Sequence, residues 1–265
     1  MKPRKAERLP MHAALRRARE AAAMILGLGL LALICLGWTP FALVLGPLMP
    51  EASGKRLGRQ AIHSCFRLYV WLLERLCGCR FDLRALDELA RQSGPMIIVA
   101  NHPSLLDVVF LLGRVPEANC IVKADLQRNP AMAGQIRACG YLPNQEDLDF
   151  IDAVHEVLQQ QCLLVFPEGT RTGWDGVVKF HRGAVSIGLR SAQVITPVVI
   201  KMQPPNFKKG QPWYKIPLQK PAYRFIVGDD INPQDWLNKH PLPIAARRLN
   251  DHLQQYFNER SQKHD

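Results

Sequence analysis

Between Glu20 and Glu51 the chain carries no charged side chain, and this thirty-residue interval, Ala21 to Pro50, holds the run Met24-Ile25-Leu26-Gly27-Leu28-Gly29-Leu30-Leu31-Ala32-Leu33-Ile34. About 20 apolar residues suffice to cross the hydrocarbon core of a bilayer, so the pattern predicts a membrane unit rather than the core helix of a soluble domain. Pro40 divides the interval into Ala21–Trp38 and a shorter arm, Phe41–Met49. Basic residues flank both ends, and the positive-inside bias places both ends on one side. A helix, a Pro-centred bend and a return through the second arm are predicted, with a single crossing as the alternative. The next segment, Arg67–Leu76, is apolar over most of its surface and predicts a helix lying on a membrane or against a core.

Beyond about residue 80 the pattern changes. Short continuous apolar runs at Met96–Ala100, Cys162–Phe166 and Val194–Ile200 are bounded by Pro, Asn or Thr and predict buried parallel strands. Tyr223–Val227 predicts a further strand. Between them Leu105–Leu112, Pro130–Cys139 and Asp149–Gln160 read as helices, with Leu242–Arg260 closing the chain. Alternation of strands and helices indicates an α/β fold with a mixed, largely parallel sheet flanked by helices. The expected organisation is a basic arm (1–20), a membrane-associated helical segment (21–79) and a catalytic-sized domain (80–265).

Composition narrows the partners. The 265 residues carry 34 Lys+Arg against 23 Asp+Glu, a formal net charge of +11, which calls for an anionic partner. Residues 1–20 hold seven basic and two acidic side chains, so nearly half of the excess abuts the apolar segment. That position favours an anionic lipid surface over nucleic acid, for which no recognition motif is present. The seven cysteines are scattered, with only Cys77 and Cys79 adjacent, so neither a zinc site nor a disulfide framework is read. A reducing, cytoplasm-facing catalytic portion fits this usage.

Two strand ends are chemically loaded. The first continues as Asn101-His102-Pro103-Ser104-Leu105-Leu106-Asp107, the second as Pro167-Glu168-Gly169-Thr170-Arg171. Five residues of continuous helix rotate by about 500°, which would separate His102 from Asp107. The pair forms only if His102 sits in the turn before a helix, and Pro103 and Ser104 suit that turn. Asp107 would then fix the tautomer and leave the other ring nitrogen as a general base; a capping or buried histidine is the plainer alternative. There is no Gly-x-Ser-x-Gly elbow and no cysteine near His102 in sequence, so the substrate itself would supply the attacking hydroxyl. Gly169 allows close backbone approach, Arg171 offers a fork for phosphate, and Lys179 and Arg182 extend a basic lining that a solvated loop would also explain.

Asn-His-Pro-Ser-x2-Asp after one strand, Phe-Pro-Glu-Gly-Thr-Arg about 65 residues later and Ile195-Thr196-Pro197-Val198 beyond resemble the glycerolipid acyltransferase family over roughly residues 80–235. The resemblance implies that His102 deprotonates an acceptor hydroxyl, that Asp107 orients it, and that Glu168, Gly169, Thr170 and Arg171 bind the acceptor. It also makes Lys123 a candidate for anion or oxyanion stabilisation and Thr196 and Pro197 candidates for the acyl or thioester pocket. The donor would be acyl-CoA or acyl-carrier protein, the acceptor a lysolipid, most simply 1-acylglycerol-3-phosphate, with no metal and no bound cofactor. Membrane phospholipids would be partners, and the domain would face the cytoplasm at the cell inner membrane. One departure is notable: Tyr141-Leu142-Pro143-Asn144-Gln145 lacks the arginine that family members acting on lysophosphatidic acid often carry, which opens an amino-acid lipid or glycolipid acceptor. A lipid or thioester hydrolase and a non-catalytic lipid-binding membrane protein remain rival readings.

Overall fold

The computed structural model describes residues 11–40, 44, 48–92, 94–129, 132–145, 148–212 and 219–262. The basic residues Lys2, Arg4, Lys5 and Arg8, and most of the expected return arm (41–43 and 45–47), lie outside the described residues. In chain order the elements are α1 (Met11–Pro40), α2 (Glu51–Leu76), β1 (Phe81–Asp82), α3 (Arg84–Gln92), β2 (Ile97–Ala100), α4 (Asp107–Arg114) and β3 (Asn119–Lys123). They continue as α5 (Ala133–Cys139), β4 (Leu142–Asn144), α6 (Leu148–Leu158), β5 (Leu163–Val165), α7 (Arg182–Ser191), β6 (Ile195–Gln203), β7 (Ala222–Val227), α8 (Gln234–Leu237) and α9 (Leu242–Gln262).

Within the apolar interval, Ala21–Pro40 belong to one helix, α1. Its Ala18–Trp38 stretch has a mean hydropathy of 2.3, and only 11% of that window is buried, so its apolar surface faces outward. At about 1.5 Å per residue it reaches roughly 30 Å, the thickness of the hydrocarbon core. Most of the expected return arm Phe41–Met49 lies outside the described residues, and α2 packs back along α1. Ile62, Tyr69, Val70 and Leu73 give α2 a buried stripe, and the Cys77 thiol just after it bonds the Ala23 carbonyl of α1 at 3.2 Å. On its other side α2 meets α5 so closely that a Cβ at Gly58 would lie 2.2 Å from the Ala138 carbonyl oxygen. Any larger residue there would force the two helices apart. Arg67–Leu76 is therefore the last part of a helix whose buried face packs on the domain.

The sheet has seven strands in the order β1-β7-β6-β2-β5-β3-β4. Every neighbouring pair is parallel except β6 with β7. All four residues of β2 and all three of β5 are buried, as strands covered on both faces require. Successive side chains point to opposite faces: Ile98 and Ala100 join a core with Tyr69, Leu86 and Phe110, whereas Ile97 and Val99 join a second core with Phe150, Leu189 and Phe257. Three short strands, β1, β3 and β4, were not predicted, and the helix expected from Leu105 begins at Asp107, because residues 103–106 make the turn that places His102.

Connections set the position of the site. From β2 the chain runs through α4 on one face past β5 to β3, and from β5 it runs through α7 on the other face past β2 to β6. Two adjacent parallel strands whose connections leave in opposite directions open a crevice beyond their C-terminal ends. The turns after β2 and β5 are the two loaded motifs.

Candidate active site

His102 follows β2 by two residues and Asp107 opens α4. The turn brings His102 Nδ1 to 2.9 Å from Asp107 Oδ2, the same oxygen that accepts the Ser104 backbone N–H at 2.7 Å. Asp107 is fully buried, and its Oδ1 has no partner among the described residues. Burial pushes the Asp107 carboxyl upward, against the pull of His102, the Ser104 N–H and Arg171. A carboxylate in this setting gains most from a positive charge on the imidazole it touches. As a carboxylate it can only accept, which puts the His102 proton on Nδ1 and the lone pair on Nε2. The ring stacks on Phe166 with centroids 4.5 Å apart and stays partly exposed.

The second turn holds the first in place. Glu168 Oε1 accepts the His102 backbone N–H and the Thr172 hydroxyl, each at 2.8 Å, and the Thr172 N–H donates to the His102 carbonyl at 2.7 Å. Glu168 is buried and braces the first turn through these two bonds. Gly169 makes the bend with φ +60°; a Cβ there would meet His181 at an ordinary 3.6 Å, so conformation rather than space calls for glycine. Asn101 ends the ladder by bonding both the N–H and the carbonyl of Ile200, at 2.7 and 3.0 Å.

The remaining expected residues divide. Arg171 Nη1 donates to the carbonyls of Phe207 and Lys208, at 2.6 and 3.3 Å, so this end of its fork is spent on the chain itself. Lys208 in turn donates from Nζ to the Gly173 carbonyl at 2.6 Å, and the segment around 206–211 is clasped to the second turn. Thr170, Lys179 and Arg182 are exposed near this end of the sheet. Lys123, at the C-terminal end of β3, is exposed and paired with Asp125 at 2.6 Å. Thr196 and Pro197 are both buried within the sheet, and the Thr196 hydroxyl bonds Asp230 Oδ1 at 2.5 Å.

Two concavities reach the dyad's surroundings. A cavity of about 530 Å³ beyond β4 and β5 is lined by Asn144, Gln145, Phe166, Gly169, His181 and Arg190, among others. An apolar groove begins at α1 with Glu20 and Gly27, passes Tyr69 of α2 and ends at Leu106, Phe207 and Tyr223. The sequence offered no sign of Thr172, Tyr223 or Arg190 at the site, since none belongs to a short motif. Gln145 was noted only for the arginine it lacks.

Residues 83–201 match the family model described as Acyltransferase. The chain is 31% identical over 171 residues to a lyso-ornithine lipid O-acyltransferase of Pseudomonas aeruginosa, covering 62% of this chain and 61% of that protein. Against a 1-acyl-sn-glycerol-3-phosphate acyltransferase of the same organism the identity is 22% over 169 residues, covering 61% of this chain and 63% of that protein. With the corresponding Helicobacter pylori protein it is 33% over 137 residues, covering 48% and 58%. The chain therefore spans less than two thirds of the length of these relatives. Among solved structures, the 1-acyl-sn-glycerophosphate (LPA) acyltransferase PlsC of Thermotoga maritima shares the fold, with a TM-score of 0.66 at 18% identity over 94% of this chain and 99% of that one.

Proposed function

From the match of residues 83–201 to the Acyltransferase model and the likeness to lysolipid acyltransferases, we propose that the chain is a glycerolipid acyltransferase and moves a fatty acyl group from acyl-CoA or acyl-carrier protein to the free hydroxyl of a lysolipid. The observation that carries this is the His102–Asp107 pair, in which Nδ1 is held by a buried carboxylate and the ring stays partly exposed. Nε2 takes the proton from the acceptor hydroxyl as its oxygen attacks the thioester carbonyl carbon. The imidazolium that forms is stabilised by Asp107. Collapse of the tetrahedral intermediate breaks the C–S bond, and the departing thiolate takes the proton from Nε2. No serine or cysteine of the chain needs to carry the acyl group.

α1 supplies the lipid contact, and the groove from α1 to Leu106 gives an acyl chain an apolar path to the dyad. An inner-membrane position with the domain facing the cytoplasm belongs to the same proposal, because the thioester donors are cytoplasmic and the seven cysteines are free thiols. The arm 1–20 and segment 21–79 would attach the domain 80–265 to an anionic leaflet.

1-Acylglycerol-3-phosphate is the first acceptor to test. A lyso-ornithine lipid is the second, favoured by Asn144 and Gln145 on the cavity and by the Arg171 nitrogen already committed to carbonyls; one relative is named for that acceptor. The purified protein in detergent, given a labelled acyl thioester and each lysolipid in turn, is expected to form labelled diacyl product that His102→Ala does not. Free fatty acid without acylated lipid would identify a hydrolase. Vesicle binding without any turnover would identify a non-catalytic lipid binder.

A further inference from the structure

We propose that Tyr223 is a positioning residue for the His102–Asp107 pair, acting through Ser104; the inference rests on the acyl-transfer reading above. Tyr223 lies on β7, 119 residues from Ser104 in sequence, yet their hydroxyls meet at 2.7 Å. Both are buried, with 4% and 0% exposure. The Ser104 hydroxyl also accepts the Leu106 N–H at 3.3 Å, and the Ser104 backbone N–H donates to Asp107 Oδ2, the oxygen that holds the His102 ring. The Leu106 carbonyl then accepts the first helical N–H groups of α4, from Val109 and Phe110. Ser104 is thus the fixed point of the turn between the two dyad residues, and Tyr223 is the side chain that holds its hydroxyl.

The geometry has a further consequence. The Tyr223 ring packs on Phe110 and Phe81, with centroids 4.7 and 5.8 Å apart, and it forms part of the apolar groove wall beside Leu106. A single side chain therefore touches both the groove and the catalytic turn. Loss of its hydroxyl leaves the aromatic packing in place and removes the shorter of the two hydrogen bonds described for the Ser104 hydroxyl, leaving only the Leu106 N–H at 3.3 Å. Displacement of a catalytic group by an ångström is costly even where binding is untouched.

The test compares Tyr223→Phe, Ser104→Ala and the double variant with the full-length protein in detergent. Each single variant is expected to lower kcat by about tenfold with KM for donor and acceptor within about twofold. The double variant is expected to be no slower than the slower single one, because the two hydroxyls act as a unit. A split between kcat and KM, read beside the melting temperature, separates positioning of the dyad from a merely structural role, because the Ser104 and Tyr223 hydroxyls are buried against each other and reach the dyad only through the turn. Activity of Tyr223→Phe within twofold of the parent, multiplicative losses in the double variant, or a loss that raises KM or merely follows the melting temperature would each overturn the inference. An inactive His102→Ala beside an unaffected Tyr223→Phe would remove this inference alone. An active His102→Ala would remove the general-base reading as well.

Discussion

The turns after β2 and β5 lie side by side at one end of the sheet and are built on opposite lines. After β2 the polar groups converge on one another: Ser104 and His102 both reach Asp107 Oδ2, and the imidazole ring stays partly exposed. After β5 they reach outward to other segments, with Glu168 and Thr172 bonding the His102 backbone and Arg171 bonding the carbonyls of Phe207 and Lys208. The first turn has the geometry of a reacting group, the second that of a clasp. Charge on a motif residue is thus a poor guide to whether it meets a ligand; where its hydrogen bonds go decides the matter.

The sharpest test of the contrast lies in the first turn. Asp107→Asn keeps the size of the side chain but cannot stabilise an imidazolium, and an amide nitrogen facing Nδ1 selects the wrong tautomer. Acyl transfer is expected to fall by at least about a hundredfold with acceptor KM little changed. A loss below tenfold would mean that Asp107 shapes the turn without serving the chemistry.

In the second turn the expected effects are smaller and depend on the substitute. Glu168→Ala leaves the buried His102 N–H and the Thr172 hydroxyl without their acceptor, a cost of about 1–3 kcal/mol in stability, with activity falling as His102 shifts. Glu168→Gln retains an oxygen that can accept both bonds, so most of the activity and stability should survive. Parallel measurement of melting temperature and turnover separates the two roles. Should Glu168→Gln prove as inactive as the alanine variant at an unchanged melting temperature, the carboxylate charge itself would be meeting a substrate.

Legibility in the sequence followed the range of the interactions. β2, β5 and β6 were visible because burial on both faces leaves unbroken apolar runs, whereas β3 mixes Asn119 and Lys123 with its apolar residues and β4 is only Leu-Pro-Asn, too short for a period to register. The His102–Asp107 contact was legible from a spacing of five and a proline in the turn. The Arg171 contacts were not, since they depend on a segment 36 residues away in which Phe207 adopts φ +52°. The first half of α2 was not legible for a different reason: its buried stripe runs through a sequence that also carries Lys55, Arg56 and Arg59, so no unbroken apolar run marks it. Arg59 is itself buried and bonds the Cys139 carbonyl at 2.8 Å, a structural use of a charge that had been assigned to a lipid surface.

The smallest expected effect concerns a residue that the family resemblance assigned to the donor pocket. Thr196 sits on β6 beside Ile98 of β2, and its hydroxyl donates to Asp230 across the strand's end. Thr196→Val removes that bond, leaves the Asp230 oxygen without its donor and preserves the β-branched shape that the strand accommodates. The expected result is a stability loss of about 1–2 kcal/mol, read as a lower melting temperature, with kcat and donor KM within twofold. The opposite pattern, an unchanged melting temperature with donor KM raised several-fold, would place the thioester against the first residues of β6. The groove ending at Leu106 and Tyr223 would then no longer serve as the acyl path, because Thr196 is not among the residues that line it.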